Sequence, residues 1–131
     1  MLRIPSQLTE ELEDLIRKTI GCCIAVHRAL GPGLLENIYS RAICLELQAT
    51  SIPFEAEKQI PVWYRSHLLC YQRLDLIVAR QIVIEIKSVE RLNPVHHAQV
   101  MSYLRVSNLR VGLLMNFNAA ILQDGLKRIV L

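Results

Sequence analysis

The chain has 131 residues, 52% of them hydrophobic, which suits one core burying roughly two-thirds of the surface of the unfolded chain and leaves no room for a second. The longest apolar stretch near the start, "IGCCIAV" at Ile20 to Val26, falls far short of the ~20 residues of a membrane span, and acids at Glu10, Glu11, Glu13 and Asp14 stand where a secretory leader would be basic and then apolar, so no membrane contact and a cytoplasmic location are expected. The net charge of +3 is uneven: residues 1–14 hold one basic and four acidic groups, so the remainder carries 14 basic against 8 acidic, or +6, which permits a polyanionic partner without requiring one.

In chain order, Thr9 is a candidate N-cap for a first helix in which Leu12, Ile16, Ile20, Cys23 and Leu30 recur at helical spacing until Gly31. "GPG", Gly31 to Gly33, is a hard break. A second helix follows over 34–49, with Leu35, Ile38, Ala42 and Leu45 as its buried stripe, packed on the first. "FEAEKQIPVWY" (54–64), "LLCYQRLDLIV" (68–78) and "IVIEIKSV" (82–89) are rich in β-branched and aromatic residues, and the "RSH" and "ARQ" breaks make them an antiparallel meander. "NPVHHAQVMSYLRVS" (93–107) begins a helix with Asn as N-cap and Pro behind it. "LRVGLLMNF" (109–117) reads as a buried strand and "KRIVL" as a short last one.

The order ααβββαβ(β) describes a single α/β domain over 1–131 with a central mixed sheet, and residues 1–14 as an acidic segment leading into the first helix. No glycine-rich phosphate loop follows a strand, which excludes the common nucleotide-binding signatures. Cys22 and Cys23 are adjacent, Cys44 and Cys70 isolated, and no CxxC or CxxH spacing points to zinc. All four are expected to be small buried hydrophobes.

Chemistry concentrates in "LDLIVARQIVIEIKS", 74–88, where Asp75, Glu85 and Lys87 interrupt the most apolar strands of the chain. Side chains alternate along a strand, so Glu85 and Lys87 share one face and Ile82, Ile84 and Ile86 the other. Asp75 stands beside Glu85 only in a register of even sum, for example 75 opposite 85 across a three-residue Ala79, Arg80, Gln81 loop; a two-residue loop would put it opposite Ile86. Carboxylates so close repel unless a cation lies between them. Hard oxygen ligands suit Mg²⁺ or Mn²⁺, and a neighbouring lysine can orient a water or neutralise an oxyanion, which is the logic of phosphodiester hydrolysis. The competing reading is a same-face Glu-x-Lys ion pair on a solvated strand, with Asp75 merely near a turn.

"GLLENIY", Gly33 to Tyr39, resembles the Gly-x-x-Glu-x-x-Tyr signature of the GxxExxY proteins of the PD-(D/E)XK nuclease superfamily, and "IPFE", "LDLIV", "IVIEIKSVE", "PVHHAQVMSYLR" and "GLLMNF" follow in the same order as in that family. The resemblance covers about residues 15–131. It implies a restriction-endonuclease-like fold, a central mixed sheet flanked by helices. It further implies that Asp75, Glu85 and the main-chain carbonyl of Ile86 bind the metal, that Glu36 adds a carboxylate from the preceding helix, and that Lys87 serves the attacking water. Gln99 and Tyr103 match a Gln-x-x-x-Tyr pattern that lies near the site in RecB-like members. One departure is the turn: members often carry Asp-Gly between the core strands, whereas "ARQ" holds nothing that favours positive φ.

The expectation is therefore a Mg²⁺- or Mn²⁺-dependent deoxyribonuclease, catalytic through Asp75, Glu85, Lys87 and Gln99, with DNA as partner and a homodimer as its assembly. The alternative is a nuclease-fold module that binds nucleic acid or a protein without cutting. Gly33, Tyr39 and Tyr103 are candidates for nucleic-acid contact. Each also has a plainer reading: Gly33 lets the helix start after a tight turn, and Tyr39 is a core residue with its hydroxyl satisfied. His27 reads as a hydrogen-bonded core histidine rather than a ligand, His96 as either family-like or exposed, and Trp63 and Tyr64 as packing residues.

Overall fold

Thr9 caps the first helix, its hydroxyl oxygen accepting from the Leu12 amide at 3.1 Å. The computed structural model describes residues 7–131, so the start of the acidic N-terminal segment, residues 1–6, lies outside the described residues. Helix α1 spans Glu10–Leu30 and ends at Gly31, whose φ of 70° and amide bond to the His27 carbonyl at 2.8 Å close the helix as expected. Helix α2 (Glu36–Ala49) follows, then strands β1 (Phe54–Tyr64), β2 (His67–Val78) and β3 (Ile82–Lys87), helix α3 (Pro94–Ser107), and strands β4 (Val111–Asn116) and β5 (Leu126–Val130).

The five strands form one sheet in the order β1-β2-β3-β4-β5. β1, β2 and β3 are antiparallel neighbours, the expected meander, whereas β3 and β4 run parallel. That parallel step needs a crossover, and α3 supplies it. Helices α1 and α2 pack together on one face, over Leu76, Val78, Ile82, Ile84 and Ile86; α3 covers the other, with Val100, Tyr103 and Leu104 against Ile77, Val83 and Leu114. Gly112 on β4 permits this closeness, because a Cβ there would lie 2.5 Å from Cγ1 of Val100. The result is an α/β sandwich of the expected class.

Several sequence expectations are corrected. The buried stripe of α2 is Tyr39, Ile43 and Leu47, while Leu35, Ile38 and Leu45 face solvent. This helix is apolar on more than one side, and the side that meets α1 and the sheet is set by packing, not by spacing. Leu30 is likewise exposed. Trp63 and Tyr64 do not pack: they stand in solvent at the far end of the β1–β2 hairpin, beyond the reach of the helices. Of the cysteines only Cys22 and Cys23 are buried; Cys44 is half-buried and Cys70 exposed. No described helix is long and apolar enough to cross a membrane.

Candidate active site

β2 passes from solvent into the core, Tyr71 and Arg73 exposed, Asp75 half-buried and Leu76 to Val78 buried. It pairs with β3 only over Leu76–Val78 against Ile82–Ile84, the register in which Asp75 stands opposite Glu85 across a loop of Ala79, Arg80 and Gln81. The loop closes with the Gln81 amide on the Val78 carbonyl at 2.9 Å. Ala79 and Arg80 take φ of 51° and 55°, a left-handed pair built from residues that do not favour it. The tertiary contacts impose that geometry: Ala79 packs against the main core and its amide donates to the Pro53 carbonyl at 2.8 Å.

Beyond this short ladder the two strands part, and Asp75 sits in the gap. Its Oδ2 accepts from the Ile86 amide at 2.9 Å, and its carboxyl lies within electrostatic reach of Glu85. Glu85 is 5% exposed in the middle of the sheet. Burial, and then the hydrogen bond and charge of Asp75, push its pKa up to about 9, against smaller opposing effects of Lys87 and the Tyr103 hydroxyl. Glu85 is thereby held in its protonated form near neutral pH, which is how a second acid is tolerated in an apolar strand. Ile84 and Ile86 are fully buried on the opposite face, as alternation requires.

The remaining candidates divide. Tyr103 approaches the pair from α3, its hydroxyl accepting from Gln72 Nε2 at 3.5 Å and lying within electrostatic reach of Glu85. It is 5% exposed and packs in the core cluster beneath α3. Gln99, one turn earlier, is half-buried and makes no hydrogen bond within the described residues. Glu36 begins α2 and its Oε1 accepts from the Ser88 amide at 3.3 Å, while the Ser88 hydroxyl donates to the Leu34 carbonyl at 2.7 Å. Ser88, unremarked in the sequence, thereby ties the end of β3 to the start of α2.

Tyr39 is fully buried, stacked on Phe117 with ring centroids 4.6 Å apart. Its hydroxyl donates to the Gly31 carbonyl at 2.5 Å and accepts from the Leu34 amide at 3.1 Å. Tyr39 thus holds the turn in which Gly33 has a φ of 103°. The Gly-x-x-Glu-x-x-Tyr spacing thus fastens a turn with its tyrosine while its glutamate meets the end of β3. His27 is a core histidine, Nε2 donating to the Ala119 carbonyl at 2.8 Å, and His96 caps α3, its Nδ1 accepting from the Asn93 amide at 3.2 Å. Buried Asn116, also missed, bonds both the amide and the carbonyl of Val89 and so fixes the chain leaving β3. A polar residue closing an apolar strand was the available signal.

Glu36 and Asp75 line one open cleft of about 720 Å³ between α2 and the β1–β2 hairpin, with Arg41, Arg73, Glu57 and Ser88 among its walls. Among the described residues no three His, Cys, Asp or Glu side chains are gathered as a metal cage. Two adjacent carboxyls and a main-chain carbonyl are still a donor set of the kind Mg²⁺ accepts, because that ion keeps several waters and needs few protein ligands. A model of the PD-(D/E)XK nuclease superfamily matches residues 13–129 of the chain. No curated protein and no solved structure matches it.

Proposed function

Because the chain belongs to the PD-(D/E)XK nuclease superfamily, whose members generally use divalent metals, we propose that it is a Mg²⁺- or Mn²⁺-dependent nuclease acting on DNA, of the GxxExxY group marked by Gly33, Glu36 and Tyr39. The observation that carries this reading is a buried Glu85 opposite a half-buried Asp75 at the gap between β2 and β3, beside an open cleft. A solvated ion pair would need neither burial nor a second carboxyl.

In this reading Asp75, Glu85 and the Ile86 carbonyl would hold the ion, and Glu36 would add a further carboxylate. When bound, such an ion supplies Lewis-acid polarisation of the phosphate and neutralises its charge. To serve as a ligand Glu85 would have to lose its proton, so metal affinity would rise with pH. Lys87, half-buried next to Glu85, orients the attacking water and offsets the charge that grows on the phosphoryl oxygens. Water would add to phosphorus as its proton passes to solvent, the bond to the leaving oxygen would break, and that oxygen would take up a proton from solvent. Tyr103 holds Glu85 in place, and Gln99 supports the water from α3.

The test is cleavage of plasmid, single-stranded and branched DNA with Mg²⁺ or Mn²⁺ beside Lys87→Ala. Products that need the ion and fall by about 10²-fold or more in the variant support the nuclease. One observation favours a second reading, a binding module: Glu36 is engaged by Ser88 and leaves the acids short of a cage. Tight DNA binding with no products under any divalent ion would establish that reading instead.

A further inference from the structure

The cleft that leads to Asp75 contains more negative than positive side chains, Glu36, Glu57 and Asp75 against Arg41 and Arg73. A polyanion entering it meets repulsion at the floor, so the placement of the two cations matters. Arg41 lies on α2, five residues beyond Glu36, and Arg73 lies on β2, two residues before Asp75 and on the same side of the strand. They therefore stand on opposite walls. Both are exposed. Arg41 has no ion pair among the described residues, and Arg73 has one carboxylate partner, Glu57, at 3.5 Å.

Glu57 is unusual in its own right. The β1–β2 ladder runs through Ala56↔Leu76 and resumes at Lys58↔Leu74, skipping Glu57 and Asp75. Glu57 has a φ of 52°, a conformation glutamate rarely adopts. The strand thus departs from regular pairing where a carboxylate reaches the Arg73 guanidinium.

We propose that Arg41 and Arg73 clamp the backbone phosphates of a DNA strand laid along the cleft, and that Glu57 occupies the Arg73 position until a phosphate displaces it. The proposal rests on the nuclease-fold reading of the cleft, but not on cleavage. A guanidinium fork fits a phosphate with two parallel hydrogen bonds, a better match than the single contact with Glu57. Such contacts position the strand without reading its sequence. Because Glu57 competes for Arg73, removing its charge has the opposite effect to removing the arginine.

The experiment is equilibrium binding of fluorescein-labelled duplex and single-stranded DNA in EDTA, where nothing is cut, over a series of salt concentrations. Arg41→Ala and Arg73→Ala should each weaken binding several-fold and lower the slope of log affinity against log salt by about one. Glu57→Gln should tighten it. All three positions are exposed, and matching thermal melts exclude unfolding as the cause. Arg105→Ala, an exposed arginine on α3 away from the cleft, should leave the affinity close to that of the wild type. The clamp is overturned if both cleft variants bind as the wild type does, if Glu57→Gln weakens binding, or if Arg105→Ala loses as much as they do. Weakened binding in a protein that cuts nothing keeps the clamp and removes the nuclease. Lys87-dependent cleavage with binding indifferent to both arginines does the reverse.

Discussion

Two strands of one sheet treat the same side chain in opposite ways. On β1, Glu55 lies at the surface, where a hydrogen bond and charge from Lys58, 2.8 Å away, hold its carboxyl below the usual range. On β3, Glu85 is enclosed by neighbours on both sides and by helices above and below, and its carboxyl is pushed up to about 9. The contrast extends to apolar residues: Ile82, Val83, Ile84 and Ile86 are fully buried, whereas Trp63, Tyr64, Leu69 and Tyr71 on the outer hairpin are about 60% exposed. Charge is cheap on the hairpin because water solvates it. On β3 it is costly, and an ionisable group kept there calls for a chemical reason.

Truncation should expose this difference most strongly. Ile84→Ala, in the core between β3 and the α1–α2 layer, should cost about 2–5 kcal/mol, while Tyr71→Ala on the outer hairpin should stay within about 0.5 kcal/mol. Urea unfolding of both variants with unchanged m-values checks this, and similar losses would mean that the hairpin is packed in solution. Next in size is Gly112→Ala, which forces a methyl against the stiff Val100 side chain on α3 and should cost about 1–3 kcal/mol by overpacking. If this variant is as stable as the wild type, α3 does not lie so close to β4.

The two glutamates should respond to pH with opposite signs. Glu85 binds its proton more tightly folded than unfolded, so its contribution is fully present below the ordinary carboxyl value of 4.5. It is lost as pH rises from there to about 9, with a slope of at most about 1.4 kcal/mol per pH unit. Glu85→Gln should flatten that slope in melts run in EDTA. Glu55 is the smaller case: its contribution is present above its ordinary value and fades as pH falls through it, so Glu55→Gln should slightly reduce stability at neutral pH and change nothing in acid. A wild type whose stability is level between pH 5 and pH 9, as an exposed Glu85 would make it, would erase the comparison.

Much of the fold and part of the candidate site were legible in the sequence, and what was legible is local or parity-based. The Thr9 and Asn93 caps and the stop at Gly31 depend on groups within a few residues of one another. The convergence of Asp75 and Glu85 depends on parity: one loop length puts them side by side and the next separates them, so an unfavourable "ARQ" turn still gave way to the register that buries Ile84 and Ile86.

What only the tertiary structure decided are quantities that belong to neighbours distant in sequence. The buried side of α2 follows from its contact with α1 and the sheet, so Leu35 and Leu45 lie outward while Tyr39 is enclosed. Glu36 meets Ser88 across 52 residues of chain, and Asn116 fixes the exit from β3 from another strand. Sequence alone determined that two carboxyls would meet in an apolar sheet. Whether Glu85 would ionise like an ordinary carboxyl or be held protonated depended on the helices that exclude water from it, because the free energy of ionisation is set by the surroundings of a group and not by its place in the chain.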